Sequence, residues 1–381
     1  MDFELNEQQI LMRDSAREFA QKRLVPTARE WDEMGQMPKE ILTEMAELGY
    51  FGILLPEEYG GLGLDPLSYI LALEEISKAN AGVEITLSVH NSLASQAIVK
   101  YGTEEQKKKY LPRMAQGELI GAYSLSEPDA GTDAGGLKST AVKKGEVYIV
   151  NGTKNWVTNA GWAGIFVVFA KTRPELGREG ISALLVEKET LGFGIGENEK
   201  KMGIKCSDTR EVYFSDAEVP VSNLLGQEGQ GLKIAFSLLN IGRVGVGAQA
   251  LGIAEAAFEE ALKYSKQRVA FGQPIANFQA TQFKLADMST KIEAARLLVY
   301  KAATLCENGE SSAGEVSMAK LYASETANWV TNEAVQIHGG YGYVKEYAVE
   351  RYFRDARVTE IYEGTSEAQK IVISRSILKK V

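Results

Sequence analysis

Residues 361–367 read IYEGTSE, and the carboxylate in that stretch, Glu363, has two readings. As the acidic flank of a helix N-terminus it is favoured by the helix dipole, with Thr365 or Ser366 as the capping hydroxyl. As a base it stands on a glycine-flexed turn beside Tyr362, where burial in an apolar pocket lifts a carboxylate toward a useful proton affinity. His90 and His338 are the only histidines and Cys206 and Cys306 the only cysteines. A histidine relay or a metal site has little to work with, and no metal is expected.

Four other stretches carry groups that chemistry could use. Tyr123-Ser-Leu125-Ser126-Glu-Pro-Asp-Ala-Gly131-Thr132-Asp133 joins turns to hydroxyls. It can offer N–H groups to a ring carbonyl, a ring nitrogen or a phosphate, or it can be an ordinary turn. Trp156-Val157-Thr158 puts an indole and a hydroxyl on one face of a strand, which suits a planar cofactor as well as a core. Gln336-Ile-His-Gly339-Gly340-Tyr-Gly342-Tyr343 ends a helix. One glycine suffices for a C-cap, and the others let a bulky ligand or another chain approach the backbone. Gly245-Val-Gly247-Ala-Gln-Ala250 has the spacing of a dinucleotide-binding turn. That motif needs a strand before it, and Ile234–Leu239 precede it inside helical sequence. Close helix packing accounts for these small residues, and a nicotinamide site is rejected.

These groups need elements to position them. Residues 1–118 read as helices. Ile41, Leu42, Met45 and Leu48 form one buried face with Pro38 near its start. Leu67, Ile70 and Leu71 begin a second helix after Asp65-Pro66. Thr103-Glu-Glu-Gln106 is a capping box, followed by a solvated Lys107–Lys109. From 119 to 225 glycine-rich turns separate short apolar runs, among them Val147–Val150 before an Asn151-Gly152 turn, Ile165–Phe169, Ile181–Val186 and Val212–Phe214. Antiparallel strands in a sandwich or barrel are expected. From 226 to 381 the pattern is helical again, with Arg243–Lys266, Leu285–Leu305, Glu315–Ile337 and a helix after Thr365 carrying Ile371, Val372 and Leu378. The expectation is an α+β multidomain chain, and the order α, β, α argues against a doubly wound sheet.

The net charge of -9, from 42 basic and 51 acidic residues, argues against nucleic acid as a partner. An anionic ligand must find a local basic site against the overall field. No apolar run approaches the roughly 18 residues of a membrane span. MDFELNEQQ does not read as a targeting segment, and ILKKV matches no lipidation signal. A cytoplasmic location is expected, or the mitochondrial matrix for a processed chain, with few cysteines suiting a reducing interior.

Together these strings resemble the acyl-CoA dehydrogenase family over essentially the whole length. Ser126–Asp133 matches one family signature. Gln336-x-x-Gly-Gly-x-Gly-Tyr343, with Glu346, Arg351 and Asp355 at the expected intervals, matches a second, and Arg268-Val-Ala-Phe271-Gly-Gln-Pro274 resembles a further segment. The resemblance implies a helical N-terminal domain (1–118), a β-sandwich or barrel middle domain (119–225) and a C-terminal four-helix bundle (226–381). It implies a homotetramer, a dimer of dimers, with FAD between the β domain and the bundle.

By the same resemblance, Tyr123, Leu125, Ser126, Gly131 and Thr132 line the flavin, and Trp156, Val157 and Thr158 meet its ring. Thr365 and Glu367 touch its nucleotide, while Arg268, Phe271, Gln279, Gln336, Gly339 and Gly340 reach the FAD of a neighbouring subunit. Thr132, Asn240, Gly242, Arg243, Tyr362 and Gly364 hold the acyl-CoA, with Arg243 supplying positive charge for a polyanion. Glu363 becomes the base that removes the α proton while the β hydrogen leaves as hydride to flavin N5. The Glu363 N–H and a ribityl hydroxyl hold the thioester oxygen, and the product is a trans-2-enoyl-CoA. Electrons pass to an electron-transferring flavoprotein, with Trp156 near the exit.

Gly242 stands where isovaleryl-type relatives carry their glutamate, and Asn240 where aspartate is frequent. The Gly242–Gly252 stretch looks most like the short-chain, butyryl-type members, and residues 85–96 border the acyl tail. A short straight-chain acyl-CoA is the expected substrate, with a branched, cyclic or dicarboxylic acyl-CoA as the alternative. His90 stays open between a substrate contact and a packed histidine.

Overall fold

A computed structural model describes residues 4–307 and 313–379. Met1–Phe3 and Lys380–Val381, which belong to the terminal stretches MDFELNEQQ and ILKKV, lie outside the described residues. The first part holds α1 (Glu7–Phe19), α2 (Ala28–Met34), α3 (Lys39–Glu47), α4 (Pro66–Ser88), α5 (Gln96–Tyr101) and α6 (Glu104–Ala115). Polar caps start them where the sequence places such caps. Asp65 accepts from the Ser68 N–H at 2.7 Å with Pro66 in the first turn of α4, and Thr103 and Gln106 form the reciprocal capping box of α6. Leu48 departs from its expected place: α3 stops at Glu47, Gly49 turns left-handed (φ 76), and Leu48 is left exposed.

α4 is buried along nearly its whole length. Asn80 breaks it with extended dihedrals (φ -156, ψ 102), and its Oδ1 accepts from the Gly82 and Val83 N–H groups. The broken turn is thereby recapped, and residues 81–88 continue at a new angle.

The middle of the chain forms β1 (Gly121–Ser124), β2 (Thr140–Lys144), β3 (Val147–Thr158), β4 (Ile165–Lys171), β5 (Ile181–Glu187), β6 (Phe193–Asn198), β7 (Thr209–Pro220) and β8 (Leu224–Leu225). The order is β6-β7-β3-β2-β4-β5-β8, with β1 on β4. The pairs β2–β3, β3–β7, β4–β5, β5–β8 and β6–β7 are antiparallel as expected, but β1 runs parallel to β4, as does β2 where Thr140 meets Lys171. Between them the chain passes through the 125–139 loop and the β2–β3 hairpin, which is the long crossover a parallel pair requires. β4 and β5 are apolar on both faces. Val167, Phe169 and Leu185 join the helical core, whereas Phe166, Val168 and Leu184 join Tyr148, Val150, Val212 and Phe214 in a second core around which the sheet wraps.

Asn151-Gly152 is not a turn. β3 runs straight through it with a register shift between Val150 and Gly152. A side chain at Gly152 (φ 142) would put its Cβ 2.2 Å from Ser139 Oγ, so the glycine permits a bulge against the neighbouring segment. The hairpin turn lies earlier, at Gly145-Glu146, where Gly145 has φ 61.

The last part holds α7 (Gly231–Gln267), the short hairpin β9 (Val269–Ala270) and β10 (Gln273–Pro274), α8 (Gln279–Glu307), α9 (Ala313–His338), α10 (Val349–Val358) and α11 (Ser366–Leu378). α7 packs against α4, α8, α9 and α10, and α11 packs on α9. The small residues of α7 are contact points: a Cβ at Gly245 would stand 2.8 Å from Ser88 Oγ, and one at Gly252 2.4 Å from the Glu74 carbonyl. Among the described residues α7 alone is long and apolar enough to cross a bilayer, yet 78% of its apolar window is buried inside the protein, as in a core helix.

Candidate functional site

The turn between α10 and α11 has an unusual backbone. Glu363 (φ 54) and Gly364 (φ 93) are consecutive left-handed residues, an arrangement that costs a glutamate conformational energy and persists only where surroundings enforce it. Four donors do so. Arg243 Nε reaches the Glu363 carbonyl at 3.3 Å, Gln369 Nε2 reaches the Glu363 and Gly364 carbonyls at 3.2 and 2.9 Å, and Lys320 Nζ donates to the Gly364 carbonyl at 2.9 Å. The Ser366 N–H closes the turn on the Glu360 carbonyl at 3.0 Å. Thr365 caps α11 by accepting from the Ala368 N–H. The capping role therefore falls to the threonine, and the glutamate is turned away from the helix.

The Glu363 carboxyl goes into the protein. Its Oε2 is buried with no hydrogen-bond partner among the described residues. It occupies the space left by Gly242, where a Cβ would stand 2.9 Å from it. Burial pushes this carboxyl up to about 7, while Arg243 and then Lys320 oppose the rise. The buried Tyr123 hydroxyl, with no partner among the described residues, lies in the field of the same glutamate and arginine, so the end of β1 converges on this point. Tyr362 directs its hydroxyl onto Gln249 Oε1 of α7. Asn240 is partly exposed one turn before Arg243.

The sequence alone does not point to Lys320 or Gln369. The signal it does carry is positional: Val316, Lys320, Ala323 and Ala327 make one buried stripe of α9. A lysine on such a stripe is an anomaly that burial must explain.

The 125–132 loop continues directly from the end of β1. A fully buried Lys154 supports it from beneath, with Nζ on Glu127 Oε1 at 2.7 Å and on the Leu125 carbonyl at 3.3 Å. Glu127 also accepts the Lys138 and Ser139 N–H groups, and the Asn155 N–H holds the Ser126 carbonyl at 2.9 Å. Above this support Gly131 and Thr132 are exposed, and a Cβ at Gly131 would meet nothing within 4 Å. Trp156 is 61% exposed. It is not aimed by strand alternation: it sits in a second bulge of β3, between Lys154 and Val157, with φ 62. Val157 is buried in the sheet core and has only its backbone to offer. An open indole, a hydroxyl-bearing loop on a rigid base, and an Asn155 Oδ1 with no partner among the described residues fit a large planar polar cofactor such as the FAD the resemblance implies.

A second group of residues lies elsewhere. Arg268 follows α7, 25 residues beyond Arg243, or about 37 Å along the helix. With Tyr264, Ile275, Gly339, Gly340 and Tyr341 it lines a cavity of about 480 Å³. Phe271 beside it is left-handed (φ 52) and 95% exposed. Cβ atoms at Gly339 and Gly340 would enter open space. Gln279 and Gln336 are exposed on α8 and α9, and Glu367 on α11. Arg351 and Asp355 are scaffold: Arg351 donates to the Ala79 carbonyl and Asp355 accepts the Ile204 N–H. His90 is buried, with Nδ1 accepting from the Gly121 N–H at 3.1 Å and the ring against Phe51, and burial lowers it to about 4. It is a packed, neutral histidine.

Three family models match the chain: acyl-CoA dehydrogenase N-terminal domain over residues 6–118, middle domain over 122–217 and C-terminal domain over 229–378. The chain is 50% identical over 379 residues to a Clostridium acetobutylicum protein described as acyl-CoA dehydrogenase, short-chain specific, covering 100% of each. It is 52% identical, with a TM-score of 0.98 and 100% of both chains covered, to a chain from a structure described as electron transferring flavoprotein of Acidaminococcus fermentans, towards a mechanism of flavin-based electron bifurcation. Against butyryl-CoA dehydrogenase from Megasphaera elsdenii the TM-score is 0.97 at 49% identity, with 99% of this chain and 100% of that one covered.

Proposed function

The chain belongs to the acyl-CoA dehydrogenase family, whose members depend on FAD, and on that premise we propose that it desaturates a short straight-chain acyl-CoA with Glu363 as the base. The bound flavin supplies the acceptor for the β hydrogen. The protein's own groups do the rest. Glu363 takes the α proton, and its left-handed backbone leaves its N–H free to meet a thioester oxygen. Arg243, partly freed from water by burial, holds the turn and offers positive charge toward the CoA side, where Asn240 and Thr132 open to solvent. Tyr123, Leu125, Ser126, Thr132, Trp156 and Thr158 hold the flavin, with Thr365 and Glu367 toward its nucleotide.

The observation that carries this reading is the Glu363 carboxyl itself, whose Oε2 is buried with no hydrogen-bond partner among the described residues and which burial raises to about 7. A carboxylate in that state is poised to accept a proton near neutral pH. The similarity to proteins described as short-chain specific and as butyryl-CoA dehydrogenase supports the choice of acyl chain. The second residue group supports a homotetramer, a dimer of dimers. Arg268 stands about 37 Å along α7 from Arg243, and the exposed faces of Arg268 and Phe271 suit the cofactor of a neighbouring chain. Electrons leave to an electron-transferring flavoprotein past the exposed Trp156. A cytoplasmic location and division into 1–118, 119–225 and 226–381 belong to the same reading.

The test is the anaerobic visible spectrum before and after butyryl-CoA. The flavin should bleach, and Glu363→Gln should keep the flavin spectrum while bleaching about 10²–10⁴-fold more slowly. Full retained bleaching in that variant rejects the base. Strong bleaching by isobutyryl- or glutaryl-CoA with none by butyryl-CoA moves the substrate.

A further inference from the structure

Ile204 (φ 42) is the one β-branched side chain among the described non-glycine residues with positive φ. A β-branched residue in the left-handed region is an outlier that only its surroundings can hold. Ile204 is buried, and its N–H donates to the carboxylate of Asp355, a buried member of the α10 scaffold. Arg351 Nε stands 3.9 Å from the other oxygen of that carboxylate. A hydrogen bond to an ionised acceptor is about twice as strong as a neutral one.

The 199–208 loop that carries Ile204 joins β6 to β7 and grips three parts of the molecule. Its backbone lies directly on α10, where a Cβ at Gly203 would stand 2.3 Å from the Arg354 carbonyl. Arg354 adds a bond to the Met202 carbonyl at 3.1 Å. Cys206 Sγ donates to Asn80 Oδ1 at 3.2 Å, at the break in α4. At the sheet, the Asn159 N–H donates to the Asp208 carbonyl at 2.9 Å, the Gly161 N–H donates to the Asp208 carboxylate, and Thr209 pairs with Thr158.

On its other side α10 runs into the turn of Glu363. Thr359 Oγ1 donates to the Ala356 carbonyl at 2.7 Å, and the Tyr362 N–H donates to the Val358 carbonyl at 3.1 Å. A short series of bonds therefore joins the turn that carries the base to the strand that carries Trp156 and Thr158, and the contact of Asp355 with Ile204 is its buried middle link.

Desaturation takes two hydrogens from neighbouring carbons, the α proton to Glu363 and the β hydrogen to the flavin held beside Trp156 and Thr158. The acyl chain must fit between the two, so their separation sets the rate. We propose that Asp355 is a positioning residue that fixes this separation by holding Ile204 in its left-handed conformation. It acts through α10 on one side and through residues 204–209 on the other. This inference rests on the Glu363 reading and deepens it.

The test compares holoenzyme with Asp355→Ala, Asp355→Asn, Ile204→Gly and the double variant Ile204→Gly/Asp355→Ala. Three quantities are read: the bleaching rate at saturating butyryl-CoA, the affinity for crotonyl-CoA by calorimetry, and the visible spectrum with acetoacetyl-CoA bound. The enolate of that last ligand, stacked on the oxidised flavin, gives a long-wavelength charge-transfer band that weakens as the two separate, with no turnover. Asp355→Ala should keep its flavin and its crotonyl-CoA affinity, bleach about 10²-fold more slowly, and lose intensity in the band. Asp355→Asn still offers Ile204 an acceptor oxygen and should recover most of the rate and of the band. Glycine is at ease at positive φ, so the Ile204→Gly background covers a failure of Asp355→Ala to fold. The double variant should again bleach about 10²-fold more slowly than Ile204→Gly. A parental rate and band in flavin-bearing Asp355→Ala overturns the proposal. So does a loss confined to flavin content or affinity, which a merely structural role would give, and so does an Asp355→Asn as slow as Asp355→Ala. The two readings fail separately: an unbleached parent flavin rejects the chemistry at Glu363, and an unmoved rate and band in variants of a bleaching parent reject only the role of Asp355.

Discussion

Gly242 and Glu363 compete for one space: a Cβ on the glycine would stand 2.9 Å from the Oε2 of the glutamate. Gly242 is helical and buried in α7, so alanine there is favourable for the helix by up to about 1 kcal/mol. The same methyl must push the carboxyl aside. Gly242→Ala should therefore fold at least as well as the parent, retain its flavin, and reduce it about 10²-fold more slowly, the scale of a 1 Å misplacement. Thermal melts and stopped-flow bleaching check the two halves. A variant with parental rates would show that the carboxyl has room elsewhere.

The acidity of Glu363 acts in opposite directions on rate and stability. A base works ionised, so bleaching by substrate should speed up as pH rises through about 7 and then level off. For folding, a carboxyl raised from 4.5 to about 7 gives stability that is fully present below 4.5 and is lost as pH rises through 7. Glu363→Gln removes that loss. The variant should be more stable than the parent at pH 8.5, by at most roughly 3 kcal/mol, with the gap closing toward pH 5. Denaturant midpoints at the two pH values measure it, and an equal gap at both would separate the stability change from this titration.

The helices and their caps were legible in the sequence because their causes are local. Asp65-Pro66, Thr103–Gln106 and Thr365 act within one turn. The features that misled depend on distant partners. Asn151-Gly152 carries a turn signature, yet Ser139 on a neighbouring segment makes it a bulge. Trp156 faces outward through a left-handed residue rather than through strand alternation. The parallel pairing of β1 with β4 leaves no local mark in either strand. At the site, the motif residues could be named from their order, but Lys320 could not. It is a charged residue on an apolar helix face, and its contact with the Gly364 carbonyl appears only when that face meets the 359–365 turn.

Lys320 should act on Glu363 by charge and by position. Its ammonium is buried, donates to the Gly364 carbonyl at 2.9 Å and holds the Glu363 carboxyl below where burial alone would put it. Lys320→Met removes an opposite charge, so the midpoint of the bleaching-rate profile should move up by about one pH unit. Activity at pH 7 falls and recovers toward pH 9 to the extent that charge is the cause. The deficit that persists at high pH measures the lost grip on the turn. A midpoint that stays put or moves down would show that Lys320 does not tune the base.

The flavin-side loop should depend on the Glu127–Lys154 pair. Both side chains are buried, 2.7 Å apart, and Lys154 also holds the Leu125 carbonyl. Lys154→Met strands a carboxylate with only the Lys138 and Ser139 N–H groups to satisfy it, and breaking such a pair costs about 3–5 kcal/mol. Because Leu125 and Ser126 ride on this support, the variant should also lose flavin on desalting. Adding Glu127→Gln removes the stranded charge and should restore most of the stability, since replacing both partners is often neutral. Flavin retention should recover less, because the link from Lys154 to Leu125 stays broken. Parallel denaturation and flavin-retention measurements on the three variants separate these effects, and full flavin retention in Lys154→Met would free the loop from this pair.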